Sequence, residues 1–461
     1  MARTSHFRFH DIDSILVEDN DSMFIVPKSK KDIIKLRPYF FDRDFMLNYD
    51  NGFKMKSYAF IERMQLEPDS QIRLYPQYII RDSNKSKYTH FEVIGDAIDD
   101  FFSPAKYFYK RAKKEEISDF ECLYHSIFVD DWGFKFEGHK VKVFLSFGNI
   151  LQRGIASDLK LHARLTVRFF RTSDIQFIYR LYSLIVRFIK IIRFEVSWGS
   201  FCVDLYDEEK GKKSYNGRLI DYSLQTVKFN RGMLDMNYTC YEPYIQRFLQ
   251  FAADNPDYTF NHYPSDSVRF LGRHYSSLDF ISIFTAFEKE CSSNPELFEK
   301  VDASDMNCVR EKLLNLIDEN DSLAMSDDEK AFVNHAKERI KQLGTQYGQK
   351  RKIVNAYQVM KRSLDSSIEH IFILPEFRRK GHLDDKDIKE VAKVLSEQRG
   401  KIAHGTSFDG FSDMDARRIK FLEILTHAMM LKRLGLDYPD IERIIGAVFS
   451  CNYIVFNEQF S

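Results

Sequence analysis

The stretch Glu397-Gln-Arg399-Gly-Lys-Ile-Ala-His404-Gly405 joins two side chains of complementary chemistry. Arginine carries a cationic, planar fork of hydrogen-bond donors, and histidine is the side chain best suited both to take and to give a proton. Such a pair suits cleavage of a ribose phosphodiester. A neutral imidazole takes the proton from a 2′-hydroxyl, and a guanidinium grips the phosphate oxygens bidentately as charge builds. Five residues along an ideal helix amount to about 140° of rotation, so a bent or frayed last turn is needed to bring both groups to one cleft. Gly400, directly after Arg399, permits that bend. The same residues also read as an ordinary helix ending. In that reading His404 complements the negative helix end, Gly405 supplies the left-handed position beyond it, and Arg399 is a solvated cation.

Other catalytic signatures are missing. The chain has no G-x-x-x-x-G-K-[ST] loop, G-x-G-x-x-G, G-x-S-x-G or H-E-x-x-H. Its 13 histidines do not cluster with carboxylates at metal-ligand spacing, so no metal and no other cofactor is expected. Cys122, Cys202, Cys240, Cys291, Cys308 and Cys451 are scattered and form no C-x-x-C, the pattern of reduced thiols in a reducing compartment. Lys+Arg and Asp+Glu both total 68, which excludes a globally basic nucleic-acid coat but leaves room for local patches. With 44% hydrophobic and 30% charged residues the chain can pack a core, which rules out a disordered or disulfide-stapled protein.

The elements that must position these residues fall into two halves. Residues 1–240 read as β-rich and sandwich-like, with one embedded helix. Leu161, Ala163, Leu165, Val167 and Phe169 alternate with polar residues, the mark of a half-buried strand. Phe134 and Phe136, then Val141, Val143, Leu145 and Phe147, predict a hairpin turning at Glu137–Gly138. Weaker strand signals lie at 22–26, 53–60, 72–80, 90–94, 194–196 and 201–205. Between Phe177 and Ile192 apolar residues recur at helical spacing, interrupted by Arg180, Arg187 and Lys190. That run is too short and too charged to span a bilayer, so a core helix is expected, with a membrane-surface helix as the alternative. No membrane partner is expected. The opening MARTSHFRFHD has no apolar signal region, which points to the cytoplasm. From about Tyr241 the period becomes helical, and 241–461 reads as an all-α domain. Its helices are expected near 278–292, 308–318, 351–368, 385–404, 413–434 and 438–450, with one more from the capping box Ser326-Asp-Asp-Glu329 to about Leu343. The fold class is therefore α+β.

Three features resemble the HEPN superfamily, and within it the ApeA-type proteins of bacterial anti-phage defence. Arg399-Gly-Lys-Ile-Ala-His404-Gly405 is similar to the motif of Arg, four to six residues and His at a helix end. Leu278-Asp-Phe-Ile-Ser-Ile-Phe-Thr-Ala-Phe-Glu288 is similar to the first HEPN helix, in which a glutamate closes an apolar run. The order of a β-rich half followed by a helical domain is also similar. One departure is Gly400, where many active members carry Asn, Asp or His.

The resemblance implies a HEPN helical bundle, a homodimer or higher homo-oligomer, and a metal-independent RNA endonuclease of an abortive-infection system. Arg399 and His404 from two subunits would meet at one phosphate, leaving a 2′,3′-cyclic phosphate and a 5′-hydroxyl. Glu288 would orient Arg399 or His404. The N-terminal half would act as sensor or regulator, with a phage-derived protein as trigger, and transfer RNA is the substrate expected of this class. Lys401 and the clusters Lys350-Arg351-Lys352 and Arg378-Arg379-Lys380, read as lying on turns, are candidate contacts to the RNA backbone, and Tyr347 and Phe377 beside them could stack on bases. The rival readings are a catalytically inactive HEPN scaffold that binds RNA or a protein partner, with Gly400 as the mark of lost chemistry, and a β-sandwich binding module whose helical half only dimerises.

Overall fold

The computed structural model describes residues 3–19, 22–29, 31–41, 43–50, 56–68, 71–83, 87–104, 127–149, 161–193, 201–222, 241–256, 275–295, 304–320, 326–342, 348–372, 383–405 and 410–449. The chain divides into two units, Met1–Thr259 and Phe260–Ser461. The first runs β1 (Arg3–Phe9), β2 (Ile12–Asp19), β3 (Ser22–Pro27), α1 (Asp32–Leu36), β4 (Phe45–Asp50), β5 (Lys56–Leu66), β6 (Ile72–Ser83), β7 (Tyr88–Gly95), α2 (Asp96–Phe102), β8 (Ile127–Phe136), β9 (His139–Asn149), β10 (Leu161–Thr172), α3 (Ile175–Arg193), β11 (Phe201–Glu209), β12 (Lys212–Asp221) and α4 (Ile245–Asp254).

All these strands belong to one antiparallel sheet, in the order β1-β2-β3-β6-β12-β11-β7-β10-β9-β8, with β5 pairing on β6 and β4 on β5. The sandwich-like expectation is thereby corrected: the described strands form one continuous hydrogen-bonded network. The branch is at β6. Its start pairs with β3 through Ile72–Leu74, its end pairs with β12 through Tyr78–Arg81, and β5 follows its other edge. Alternation along a strand tells which face is buried; it does not tell which strand lies alongside. The hairpin between β8 and β9 turns where expected. Glu137 and Gly138 both have positive φ, 47° and 79°, as a two-residue turn matched to strand twist requires.

The 175–192 segment is a core helix. Phe177, Leu181, Leu184, Ile185, Phe188 and Ile192 of α3 are all buried, and Tyr182 meets Phe91 of β7 edge-on. Its basic residues are engaged as well. Arg180 forms a two-pronged pair with Glu137, and Arg187 donates to the Ala252 carbonyl of α4 at 2.8 Å. Among the described residues no helix is long and apolar enough to cross a membrane. Helix α4 belongs with the sheet, which places the division after Thr259, beyond residue 240. The Gln250 amide brackets the backbone of β8, accepting from the Lys135 N–H at 3.0 Å and donating to its carbonyl at 3.3 Å.

The second unit contains α5 (Ser277–Ser293), α6 (Ser304–Asn320), α7 (Asp327–Gln342), α8 (Gln349–Ile371), α9 (Asp385–Ala403), α10 (Asp413–Arg433) and α11 (Tyr438–Val448), and no strand among its described residues. Its axis is α10, where every residue from Ile419 to Leu431 is buried. Helices α5, α8, α9 and α11 pack around it. Helices α6 and α7 pack on each other and leave Val309, Leu313, Leu316 and Phe332 exposed. Capping boxes open three of the bundle helices. Ser276 with Asp279 starts α5, Asp384 with Asp387 starts α9, and Ser412 with Asp415 starts α10, each satisfying first-turn N–H groups that have no partner within the helix. The expected Ser326–Glu329 box precedes α7.

Candidate active site at the end of helix α9

Helix α9 buries Ile388, Val391, Ala392 and Leu395, one row at i, i+3, i+4 and i+7. Arg399 lies one turn further along that row, so it projects towards α5 just past the last buried side chain. There its Nη2 is 3.7 Å from Glu288 Oε2 of α5. The pair is half-buried, the arginine and glutamate side chains being 37% and 26% exposed. The other oxygen of Glu288 accepts a hydrogen bond from Gln349 Nε2, at the first residue of α8. Three helices thus converge on one carboxylate. The structure brings Glu288 close to Arg399; Gln349 carries no motif, and only its place at a helix start beside Lys350 could have drawn notice.

His404 is exposed and caps α9. The last turn does not fray. The His404 N–H donates to the Gly400 carbonyl at 3.1 Å, the Gly405 N–H donates to Ile402 at 3.2 Å, and Gly405 takes the left-handed φ of +65° that ends the helix. Helix α9 continues unbroken through Gly400 to Ala403, so the frayed last turn that Gly400 would permit, and that would bring the two groups together, is not formed. A regular helix sets Arg399 and His404 about 140° apart, so the two do not share a face of a single chain. Gly400 itself sits in open space: a Cβ added there would meet nothing within 4 Å.

The end of α9 is tied down from the next residue back. Gln398 hydrogen-bonds to Asp415, which also accepts from the Ser412 hydroxyl at 2.7 Å and from Arg418 at 2.8 Å. Burial alone would raise the Asp415 carboxyl; the bonds from Ser412, Gln398 and Arg418 outweigh it and hold the group below its ordinary range. Two residues along α5 from Glu288, the Glu290 carboxylate is 1% exposed and takes both prongs of Arg433, at 2.7 and 3.2 Å. Nearby Cys291 is no nucleophile, since burial pushes its thiol up to about 12.

Lys401 is exposed in the last turn of α9. Lys350, Arg351 and Lys352 lie in the first turn of α8 and not on a turn before it, because Gly348 already serves as N-cap. Lys350 and Arg351 are exposed and Lys352 is half-buried. Arg378, Arg379, Lys380, Tyr347 and Phe377 lie outside the described residues. No group of three or more His, Cys, Asp or Glu side chains able to hold a metal is assembled among the described residues.

Neither a family model, nor a curated protein, nor a solved structure matches this chain. The chemistry of the site thus rests on its own groups. It offers a guanidinium steadied by a carboxylate and, on the far side of the same helix end, an imidazole open to solvent.

Proposed function

We propose that the helical unit is a HEPN-type RNA endonuclease that works without a metal, restrained by the β-rich unit until infection and lethal to its host cell once released. The observation that carries the reading is the Glu288–Arg399 pair, half-exposed at a helix end whose cap is His404. The loose, partly open pairing leaves the guanidinium with donors available for a phosphate.

Because one helix cannot turn both groups to one phosphate, the reaction calls for two copies of the chain, a homodimer or a higher assembly of dimers. One His404 takes the proton of the 2′-hydroxyl, whose oxygen attacks the adjacent phosphorus. The other His404 gives a proton to the departing 5′-oxygen. The two Arg399 guanidiniums balance the charge that accumulates on the phosphate oxygens. A 2′,3′-cyclic phosphate and a 5′-hydroxyl result, and no cofactor takes part. Lys401 and the Lys350–Lys352 turn of α8 would hold flanking phosphates. Transfer RNA is the proposed substrate, a phage-derived protein the proposed trigger, and the cytoplasm the proposed location.

The deciding experiment incubates the purified full chain with total RNA, with and without EDTA, beside His404→Ala and Arg399→Ala of demonstrated fold. Metal-independent cleavage abolished by both substitutions is expected. Equal cleavage of DNA, which lacks the nucleophile, would overturn the mechanism. A second reading, an inactive HEPN scaffold that binds RNA or a protein partner, draws on Gly400 and on the regular cap at Gly405, which together account for His404 as a helix ending. Equal toxicity of wild type and His404→Ala in cells would favour it.

A further inference from the structure

We infer that Gln349 is a positioning residue for Arg399, acting through Glu288; its catalytic consequence rests on the nuclease reading above. Glu288 has two oxygens and two partners from different helices. Oε1 accepts from the Gln349 amide at the start of α8, and Oε2 faces Arg399 near the end of α9. With one oxygen held, the carboxylate plane can no longer rotate about its last torsion, and the oxygen turned to the guanidinium stays there. Without that hold, a half-exposed glutamate swings freely and the long arginine side chain loses the fixed oxygen it faces.

Two further observations favour a role beyond packing. The Gln349 amide can face Glu288 only with its nitrogen, since its carbonyl against a carboxylate would repel, and that leaves the Gln349 Oε1 buried without a hydrogen-bond partner. A stranded buried carbonyl is costly, and folds keep such atoms where something else depends on them. Moreover Gln349 does not cap its own helix. Gly348 is the N-cap of α8 and makes no side-chain cap bond, so the glutamine amide is directed at α5 while the first turn goes without one. A neutral donor also suits this position, because a lysine there would compete with Arg399 for the carboxylate and a glutamate would repel it.

The test reads the arginine directly. The full chain is treated with phenylglyoxal, and modification of Arg399 is followed by peptide mass spectrometry in wild type, Gln349→Met, Glu288→Gln and the double variant. Methionine keeps the length of glutamine and removes the donor. Each single variant should label Arg399 about two- to fivefold faster, the range a half-exposed ion pair supports, and the double no faster than Glu288→Gln alone. Arg433 serves as the internal control, because its pair with Glu290 is untouched in all four. In RNA cleavage Gln349→Met should lower kcat about tenfold with KM within about twofold, the split expected when only transition-state contacts weaken. Unchanged labelling in Gln349→Met, or labelling that adds in the double variant, overturns the inference whatever the rates. If labelling responds as stated while wild type leaves RNA intact, the positioning role stands and the nuclease reading falls. If wild type cleaves and Gln349→Met labels and cleaves identically, the reverse holds.

Discussion

Helix α5 carries two glutamates two residues apart, and each meets an arginine from another helix in a different manner. Glu290 is buried, grips Arg433 with both oxygens and takes a further bond from Asn294 at 3.2 Å. Glu288 is partly open, stands 3.7 Å from Arg399 and gives its other oxygen to Gln349. Both are Glu–Arg pairs on one helix; their surroundings decide what each can do. In a dry pair every donor of the fork is committed and removal of one partner strands a charge. In a wet pair the attraction is weak and the guanidinium remains available to an incoming anion. In the sheet unit the Asp207 carboxylate is likewise fully buried and held at two points, although its partner Arg171 is itself 36% exposed. Arg399 is about as exposed as Arg171 but faces a partly open carboxylate at 3.7 Å, and the proposal of chemistry at the end of α9 rests on that looser pairing.

The sharpest way to break the contrast is to remove each arginine in turn. Arg399→Ala and His404→Ala should each cost roughly 10²- to 10⁴-fold in RNA cleavage, as loss of one charge-stabilising or proton-transferring group does. Both should leave stability within about 0.5 kcal/mol of wild type, as exposed sites do. Gel assays of 5′-labelled RNA beside urea melts check both halves. Arg433→Ala should do the opposite to stability. It leaves Glu290 buried and charged, and about 3 kcal/mol is expected to go, near the low end for a broken buried pair because Asn294 still serves the carboxylate. If Arg399→Ala destabilises the chain as much as Arg433→Ala, the two pairs are alike and the contrast is lost.

A smaller effect sharpens how the end of α9 is held. The Asp415 carboxyl anchors Gln398, and its folded value lies below the unfolded one. The stabilisation it contributes is therefore fully present above the unfolded carboxylate range near ~4 and is lost as pH falls through the depressed folded value. Asp415→Asn should cost about 1 kcal/mol at neutral pH, as loss of a helix-start carboxylate does. Urea unfolding at descending pH should show the gap between variant and wild type closing below about pH 4; a gap independent of pH would mean that the carboxylate charge is not what holds Gln398.

Legibility differed between the same regions. The bundle helices were readable because their apolar rows are long and their ends are marked by Gly, Asn and Asp. Even so, most capping boxes carry Asp at the third position, where the common pattern has Glu or Gln, and only Ser326–Glu329 stood out. Strand β12 escaped notice. Its buried positions include polar Asn216 and Gly217 while Tyr215 is exposed, so side-chain type does not mark the buried face, and its pairing with β11 shifts register between Asp204 and Tyr206. The hairpin at Glu137–Gly138 was visible, while the equivalent Lys210–Gly211 turn, also at positive φ, lay next to that unmarked strand. In the candidate site, Arg399 and His404 stand out by type and spacing, and Glu288 only by the resemblance of its helix to the first HEPN helix. Gln349 was not, since its partner lies 61 residues away and a lone glutamine at a helix start has no pattern. Gly400 permits a distorted last turn but does not cause one, and the helix runs on through it to Ala403.

Gly400 gives the least costly and most discriminating change. The residue is helical and a side chain there meets open space, so replacement is not opposed by packing. Gly400→Ala should stabilise the helix by about 0.5 kcal/mol, the lower part of the glycine-to-alanine range because the site is close to the helix end. Gly400→Asn should be nearly neutral for stability, since asparagine recovers only part of that propensity. It places an amide one residue from Arg399, about 100° round the helix and so on the side turned towards His404. Those two variants separate propensity from chemistry. If the proposed reaction is limited by the missing polar group, Asn should raise cleavage severalfold over wild type and Ala should not. Equal rates for both would mean that backbone stiffness alone sets the activity of this helix end, and a loss with Asn would show that the phosphate requires the bare glycine surface beside Arg399.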